Sequence, residues 1–467
     1  MITINDLPTE IQIPIFIEVC DRRQNNHGTP ILHLGSVCRL WRQVLWDAPQ
    51  LWSQVRMFCD AGDYDTNFNT LNDWLQRSRS LPLTIFIDGD SQYPSVDPEE
   101  DNVELEEHVS RCFSRILDER ARWTTLHLVM SFGEPLYMLN DAGASIAHLR
   151  SFSLQGNFHQ KSEVFLKFLS YQMELVSIEI RHTGRGCGSV FVEEMFGLGG
   201  NLQQTRFGQS VRRVAFSRIE GEIVQQLFSF LPNIEYLLLD DINVDDPDSN
   251  LLPPIMLDNL RSLVLVDAEW SLDLLSAPHL EALEVAWDPS HLSSEASTET
   301  QALLRFLQDT SSGGARPSRL AYQIKPLTNL TDLLALLRYL ADSLTDLALC
   351  FAGRDTDCMS MCLFWDTLFR QERKDEIEGM DIPKLRRLHL SFDYNSQIPP
   401  IVFEKVYEAV GRWVGSQSGL VRDEEPLVLH LSMDARMTDS TQDYLSLLLK
   451  RGELEIVFDE AYRSPSW

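Results

Sequence analysis

The chain has 467 residues, too many for one compact core unless the fold is elongated or repetitive. Its 69 acidic and 40 basic residues leave a formal net charge of −29, which argues against general phosphate binding and against docking on an anionic membrane surface. Hydrophobic content of 44% and charged content of 23% are those of an ordinary soluble globular protein.

The N-terminus, Met1-Ile2-Thr3-Ile4-Asn5-Asp6, has neither the basic nor the apolar region of a secretory signal. No apolar run reaches the ~18 residues that a membrane helix needs. The expected location is therefore the cytoplasm, the nucleus or both. The eight cysteines are scattered, as expected of free thiols in a reducing compartment. Cys350, Cys358 and Cys362 lie close together, but no zinc spacing completes them, so no metal is expected.

The first ~55 residues are helical and rich in apolar groups, more than one small hairpin can bury internally. Asn5 or Asp6 is placed to cap a first helix, with Pro8 in its first turn and Glu10 near its positive end. Pro14 is expected to kink or shorten that helix. A polar loop follows over 21–30. A second helix begins near Ile31 and carries Leu34, Val37, Cys38, Trp41 and Leu45 as one stripe, with Trp46 and Trp52 adding apolar surface.

Leu7-Pro8-x-Glu10-Ile11, Ile15-Phe16, Val37-Cys38-x-x-Trp41-Arg42 and Pro49-x-Leu51-Trp52, in that order, resemble the F-box. The resemblance implies docking on a Skp1-like adaptor and, through it, on a cullin. It nominates Leu7, Pro8, Ile11, Ile15, Val37, Cys38, Trp41 and Leu45 as adaptor-facing or motif-core positions.

From about residue 120 onward, one pattern recurs: apolar-x-x-apolar-x-apolar. Leu149-Arg-Ser-Phe152-Ser-Leu154 and Leu260-Arg-Ser-Leu263-Val-Leu265 are typical, and Leu83, Ile85 and Ile87 form an early member. Alternation at the end of each unit predicts a short strand with one buried face. Apolar stripes of helical period lie between strands, for example Val109, Cys112, Phe113, Ile116 and Leu117. Strand and helix in repetition give a parallel sheet with helices on one side. Leu126, Phe152 and Ile178 stand 26 residues apart, within the 20–29 period of leucine-rich repeats. The pattern resembles the irregular leucine-rich domains behind many F-boxes, especially in fungal proteins.

The fold class expected is therefore α/β: an N-terminal all-α F-box at 1–56, a linker with first irregular repeats and an acidic loop at 57–122, and a degenerate leucine-rich-repeat solenoid, a horseshoe, over 123–467. The stretch 88–107 reads as the solvated acidic loop, and 289–301, rich in Ser, Thr and Glu, as mobile. A doubly wound α/β fold is the competing architecture.

No His-Glu-x-x-His, Walker loop or Gly-x-Ser-x-Gly is present, and no catalytic residue or cofactor is expected. Gly184-Arg-Gly186-Cys-Gly188 has the wrong spacing for a phosphate cradle. Asp240-Asp241 and Asp245-Asp246 read as loop or capping acids. The resemblance points to a substrate-recognition subunit of a Skp1–cullin–F-box ubiquitin ligase, binding a protein target and neither nucleic acid nor membrane. Alternate strand residues nominate Ser177, Glu179, Arg181, Arg213, Ser217, Tyr236, Leu238, Asp240, Arg387 and His389 for the target. The alternatives are a Skp1-binding scaffold outside any ligase, and an α/β enzyme.

Overall fold

The computed structural model describes residues 4–22, 30–58, 64–88, 102–130, 148–156, 174–182, 208–219, 231–242, 254–268, 275–286, 296–310, 316–324, 330–351, 384–392, 427–432 and 454–458, with isolated positions between them. The chain divides into two compact units, Met1–Val214 and Ala215–Trp467.

The first unit opens with four short helices: α1 (Thr9–Arg22), α2 (Pro30–Val37), α3 (Arg39–Asp47) and α4 (Pro49–Trp52). Helix α1 starts one residue after Pro8, whose carbonyl accepts from the N–H groups of Ile11 and Gln12. Pro8 is thus the residue before the first turn rather than part of it. Asn5 does not cap the helix with its side chain; Trp41 Nε1 donates to its Oδ1 at 2.7 Å. Pro14 does not end α1, which continues to Arg22. Pro14 and Glu10 are both exposed, on a side where a carbonyl left without its intrahelical partner can be solvated. Of the polar loop expected at 21–30, residues 23–29 lie outside the described residues.

The single helix expected from Ile31 is two. Cys38 sits between α2 and α3 with extended backbone (φ −156°), and its Sγ accepts from the Trp41 N–H at 3.4 Å. The break turns α3 so that Val44 and Leu45 enter a core with Phe16, Ile31, Ala48, Leu51 and Trp52. Trp52 Nε1 donates to the Leu45 carbonyl, so this buried indole carries no unmet donor.

That core does not end with the helical module. Trp74, on α5 (Tyr64–Arg77), belongs to it and meets Trp52 edge-on, with centroids 5.5 Å apart. Arg77 stacks over both Trp46 and Trp52. Strand β1 (Gln54–Phe58) leads straight from α4 into a parallel ladder with β2 (Leu83–Asp88). The helical module and the sheet of this unit therefore share side chains.

Strands β3 (Trp123–Met130), β4 (Ser151–Gly156) and β5 (Ser177–His182) continue the ladder, all parallel. Register aligns two apolar columns: Val55, Ile85, Leu126, Phe152, Ile178 and Met57, Ile87, Leu128, Leu154, Ile180. Each of the ten is at most 6% exposed. Helix α6 (Asn102–Leu117) buries Val109, Cys112, Phe113 and Ile116, and Phe113 packs on Trp123. Of the acidic stretch 88–107, residues 89–101 lie outside the described residues. Strand β6 (Arg213–Ser217) stands at the division between the units.

In the second unit, β7 (Tyr236–Asp240), β9 (Ser262–Val266), β11 (Ala282–Ala286), β12 (Arg319–Ile324), β13 (Asp346–Phe351), β14 (Arg387–Phe392), β15 (Leu427–Ser432) and β16 (Leu454–Phe458) pair in that order, all parallel. Leu237, Leu263, Leu283, Leu320, Leu347, Leu388, Leu429 and Ile456 form one column across them. Helices α7 (Ala296–Thr310) and α8 (Leu330–Leu340) pack together in this unit.

Two expectations change here. Between β9 and β11 the described residues hold β10 (Leu275–Ser276), paired with β8 (Ile255–Met256), and a short 3-10 turn at 271–272 but no α-helix; a 20-residue period leaves too little chain for one. The segment expected to be mobile at 289–301 forms the start of α7 from Ala296, and the buried Thr300 hydroxyl lies 2.9 Å from that of Tyr322. Gly184–Gly188 and Asp245-Asp246 lie outside the described residues.

The main chain repeats with the side chains. The carbonyl of the residue immediately before a strand accepts two N–H groups from the next repeat in several places: Arg150 from Val176 and Ser177, Glu235 from Arg261 and Ser262, Thr345 from Arg386 and Arg387. At the other strand ends, Arg218, Asp241 and Asp267 adopt φ of 57°, 51° and 47°. In that left-handed turn each donates its N–H to the neighbouring repeat, to Asp240, Val266 and Ala286 respectively.

Candidate functional site

Two surfaces carry the residues singled out from sequence. The first is the outside of the helical module. Among the described residues of the chain, six large apolar side chains are exposed, and four are Ile11, Leu32, Val37 and Leu40, at 50, 40, 61 and 43%. They project from α1, α2 and α3, whose inner faces are already filled. Pro8 is exposed too, and Leu7, Ile15, Cys38 and Trp41 are half-buried. Leu45 is fully buried and falls on the core side of the expectation. Leu32 and Leu40 escaped sequence reasoning because they lie off the stripe that a single continuous helix defines.

The module is held open at this surface by polar ties. Gln12, 2% exposed, donates from Nε2 to the carbonyls of Leu7 and Ile4, fastening the N-terminal segment onto α1. Trp41 packs against Phe16 at 5.0 Å and is anchored at its rim by Asn5. Arg42 Nε donates to the Gly35 carbonyl across the break at Cys38.

The second surface is the sheet face opposite the apolar columns. In the first unit, register places Arg56, Phe86, His127, Ser153 and Glu179 in one row. Arg56 lies over the Phe86 ring at 4.7 Å, and Phe86 stacks on His127 at 4.5 Å with planes 2° apart. Ser153 donates to Glu179 at 3.0 Å, and Arg181 pairs with the other Glu179 oxygen at 3.4 Å. Burial holds the His127 imidazole below its ordinary value, with Glu179 opposing and Arg56 reinforcing. The structure thus brings Glu179 and Arg181 together beside Ser177, which is half-buried on the same strand.

Arg213 is exposed. In the second unit Ser217 is only 5% exposed and gives its hydroxyl to Asp240 at 2.7 Å, so it is withdrawn from the contact surface expected of it. Tyr236, Leu238 and Asp240 are half-buried on one strand. Asp241 pairs with Arg218 at 3.4 Å, a local turn contact. Arg387 is exposed and reaches Asp346 on the preceding strand at 2.9 Å, and His389 is half-buried beside it.

Among the described residues no group of three or more His, Cys, Asp or Glu is placed to hold a metal, and Cys20, Cys38, Cys112 and Cys350 are in no disulfide. No helix of the described residues is long and apolar enough to cross a membrane.

The geometry is that of a small, well-packed helical module with exposed aliphatic side chains and a sheet of parallel strands after it. Residues 4–57 match the family model described as F-box-like, so the chain carries an F-box-like domain, which supports its being an F-box protein. No curated protein matches the chain significantly.

Proposed function

We propose that the chain is the substrate-recognition subunit of a Skp1–cullin–F-box ubiquitin ligase. The F-box-like domain docks a Skp1-like adaptor and, through it, a cullin; the sheet domain holds a protein target. The observation that carries the reading is the placement of Ile11, Leu32, Val37 and Leu40 on the outside of helices whose inner faces are already packed. Exposed aliphatic groups on well-packed helices mark a protein interface rather than unfinished folding. Leu7, Pro8, Ile15, Cys38 and Trp41 border that surface in this reading.

The strands are, on this proposal, degenerate leucine-rich repeats of a solenoid, a reading supported by apolar columns in strict register. The contribution to the ligase is proximity and not chemistry: a held target raises the effective concentration of its lysines near a conjugating enzyme. The chain works in the cytoplasm or nucleus.

The test is co-purification with a Skp1-like adaptor, comparing wild type with an Ile11→Asp/Val37→Asp double variant. Both positions are exposed, so the fold survives the change and only the interface is charged. Wild-type capture that the variant loses supports the proposal; no capture by folded wild type ends it. Recruitment of a cullin in the same assay separates a ligase subunit from an adaptor-binding scaffold.

A further inference from the structure

We infer that the rim of the first unit, at the end where its strands begin, binds a carboxylate-bearing segment of a protein partner. A cleft of about 390 Å³ lies there, walled by Ser80, Arg122, Thr124, His148, Arg150 and Glu174. That volume is within the roughly 300–1,000 Å³ of ligand-sized pockets.

Two arginines meet in it on an otherwise strongly acidic chain of net charge −29. Arg122 is held rigidly. Its Nε donates to the Leu81 carbonyl, Nη1 to Glu119 and Nη2 to the buried Ser78 hydroxyl. A guanidinium has five N–H donors, so these contacts leave two uncommitted, and such charged donors bond carboxylates strongly. Arg150 is anchored differently. Its backbone N–H donates to Thr124, and its carbonyl takes the paired N–H groups of Val176 and Ser177. Its guanidinium is exposed, and no described residue pairs with it. A fixed main chain under a free cation is a preorganised place for an anion.

The negative group in the cleft narrows the ligand. Glu174 lies 3.5 Å from His148 and stands on the same wall. It repels a second full negative charge, which disfavours a phosphate dianion and favours a single carboxylate with an N–H donor beside it. A peptide glutamate or aspartate next to its own backbone amide has that arrangement. In the proposed ligase subunit this cleft is where part of the target docks, and in that sense the inference rests on the functional reading; peptide binding itself does not require the adaptor, so either failure is recognisable alone.

The experiment uses the full chain and a fluorescein-labelled, amide-capped Gly/Ser peptide with a single central glutamate, read by fluorescence anisotropy at about 0.15 M salt, where a screening length of ~8 Å suppresses the field of the distant acidic residues. Saturable binding is expected, weakened at least about tenfold by Arg150→Glu and strengthened severalfold by Glu174→Gln. Both side chains are exposed, and unchanged melting curves confirm that the variants fold. Opposite effects of the two variants place the peptide in the cleft. Equal binding by wild type and both variants, or none up to about 1 mM, overturns the inference. Displacement by inorganic phosphate at concentrations where free glutamate has no effect overturns the carboxylate assignment, and equally tight binding of octathymidylate overturns the peptide assignment.

Discussion

Gly35 and Trp46 approach so closely that a β-carbon on Gly35 would stand 2.8 Å from the indole ring. The ring cannot swing away freely, because Trp52 meets it edge-on at 5.4 Å and Arg77 covers its face. A glycine in a helix interior ordinarily costs about 0.5–1 kcal/mol relative to alanine. Here that cost is tolerated because it lets α2 close onto α3. Gly35→Ala is therefore expected to destabilise the protein by about 1–3 kcal/mol despite its better helix propensity, as overpacking does. Denaturant unfolding measures it, and a neutral or stabilising result would show that the Trp46 ring relaxes.

The F-box-like domain borrows Trp74 from outside its own residues. Trp74→Ala is expected to cost about 3–5 kcal/mol, the range for deleting a large buried ring. A fragment ending at residue 57 is expected to melt broadly and to bind a fluorescent apolar dye, while one extended through Arg77 and Leu83–Asp88 melts with greater cooperativity. Sharp melting of the short fragment would contradict the shared core.

Two buried groups on α6 give a pH dependence. Cys112 and His108 lie one helical turn apart, with Sγ 3.6 Å from Nε2. Burial pushes the Cys112 thiol up from 9.0 to about 11, with Arg111 opposing. Burial also lowers the His108 imidazole below 6.5, aided by Arg111 and opposed by Asp65. A raised thiol value means the folded state holds its proton more tightly. Its stabilising contribution is full below about pH 9 and is lost as pH rises toward 11. The lowered imidazole works in the other direction: its contribution is full above pH 6.5 and falls as the solution is acidified. His108→Gln is expected to flatten the acid side of the stability curve and Cys112→Ala the alkaline side, as thermal midpoints across pH will show. The same burial predicts slow alkylation of Cys112 in the native protein at pH 8.

Asp241 turns the chain at the end of β7 with φ of 51°, a conformation that side chains resist. Asp241→Gly should leave stability unchanged or slightly raised, since the lost pair with Arg218 is exposed. Asp241→Val should cost about 1–2 kcal/mol, because a branched β-carbon crowds the left-handed turn. Equal effects of the two changes would mean that the turn carries no strain.

The strands were legible because a period-2 apolar pattern admits few other structures. Leu83, Ile85 and Ile87, or Leu347 and Leu349, announce a strand with one buried face, and the structure pairs each such segment in register. Strand β1 was not legible, since Gln54-Val55-Arg56-Met57-Phe58 is too short and too mixed to stand apart from the helix before it. The helix break at Cys38 was hidden for a related reason. Leu34, Val37, Cys38, Trp41 and Leu45 keep helical spacing straight through it, and the extended backbone at Cys38 and the packing of Trp46 onto Gly35 reveal that two helices meet there. At the candidate target surface, residue type marked Ser217 for solvent, whereas its hydroxyl is taken by Asp240, a partner 23 positions away.

The amino-acid order by itself determined the F-box-like segment, the parallel strands and the acidic balance, because each is a local or summed property of neighbouring residues. Tertiary structure alone decided which apolar groups stay outside the helical module, that Trp74 completes its core, and that Arg122 and Arg150 share one cleft. Those outcomes depend on contacts between residues far apart in sequence, and side-chain periodicity carries no information about distance across a fold.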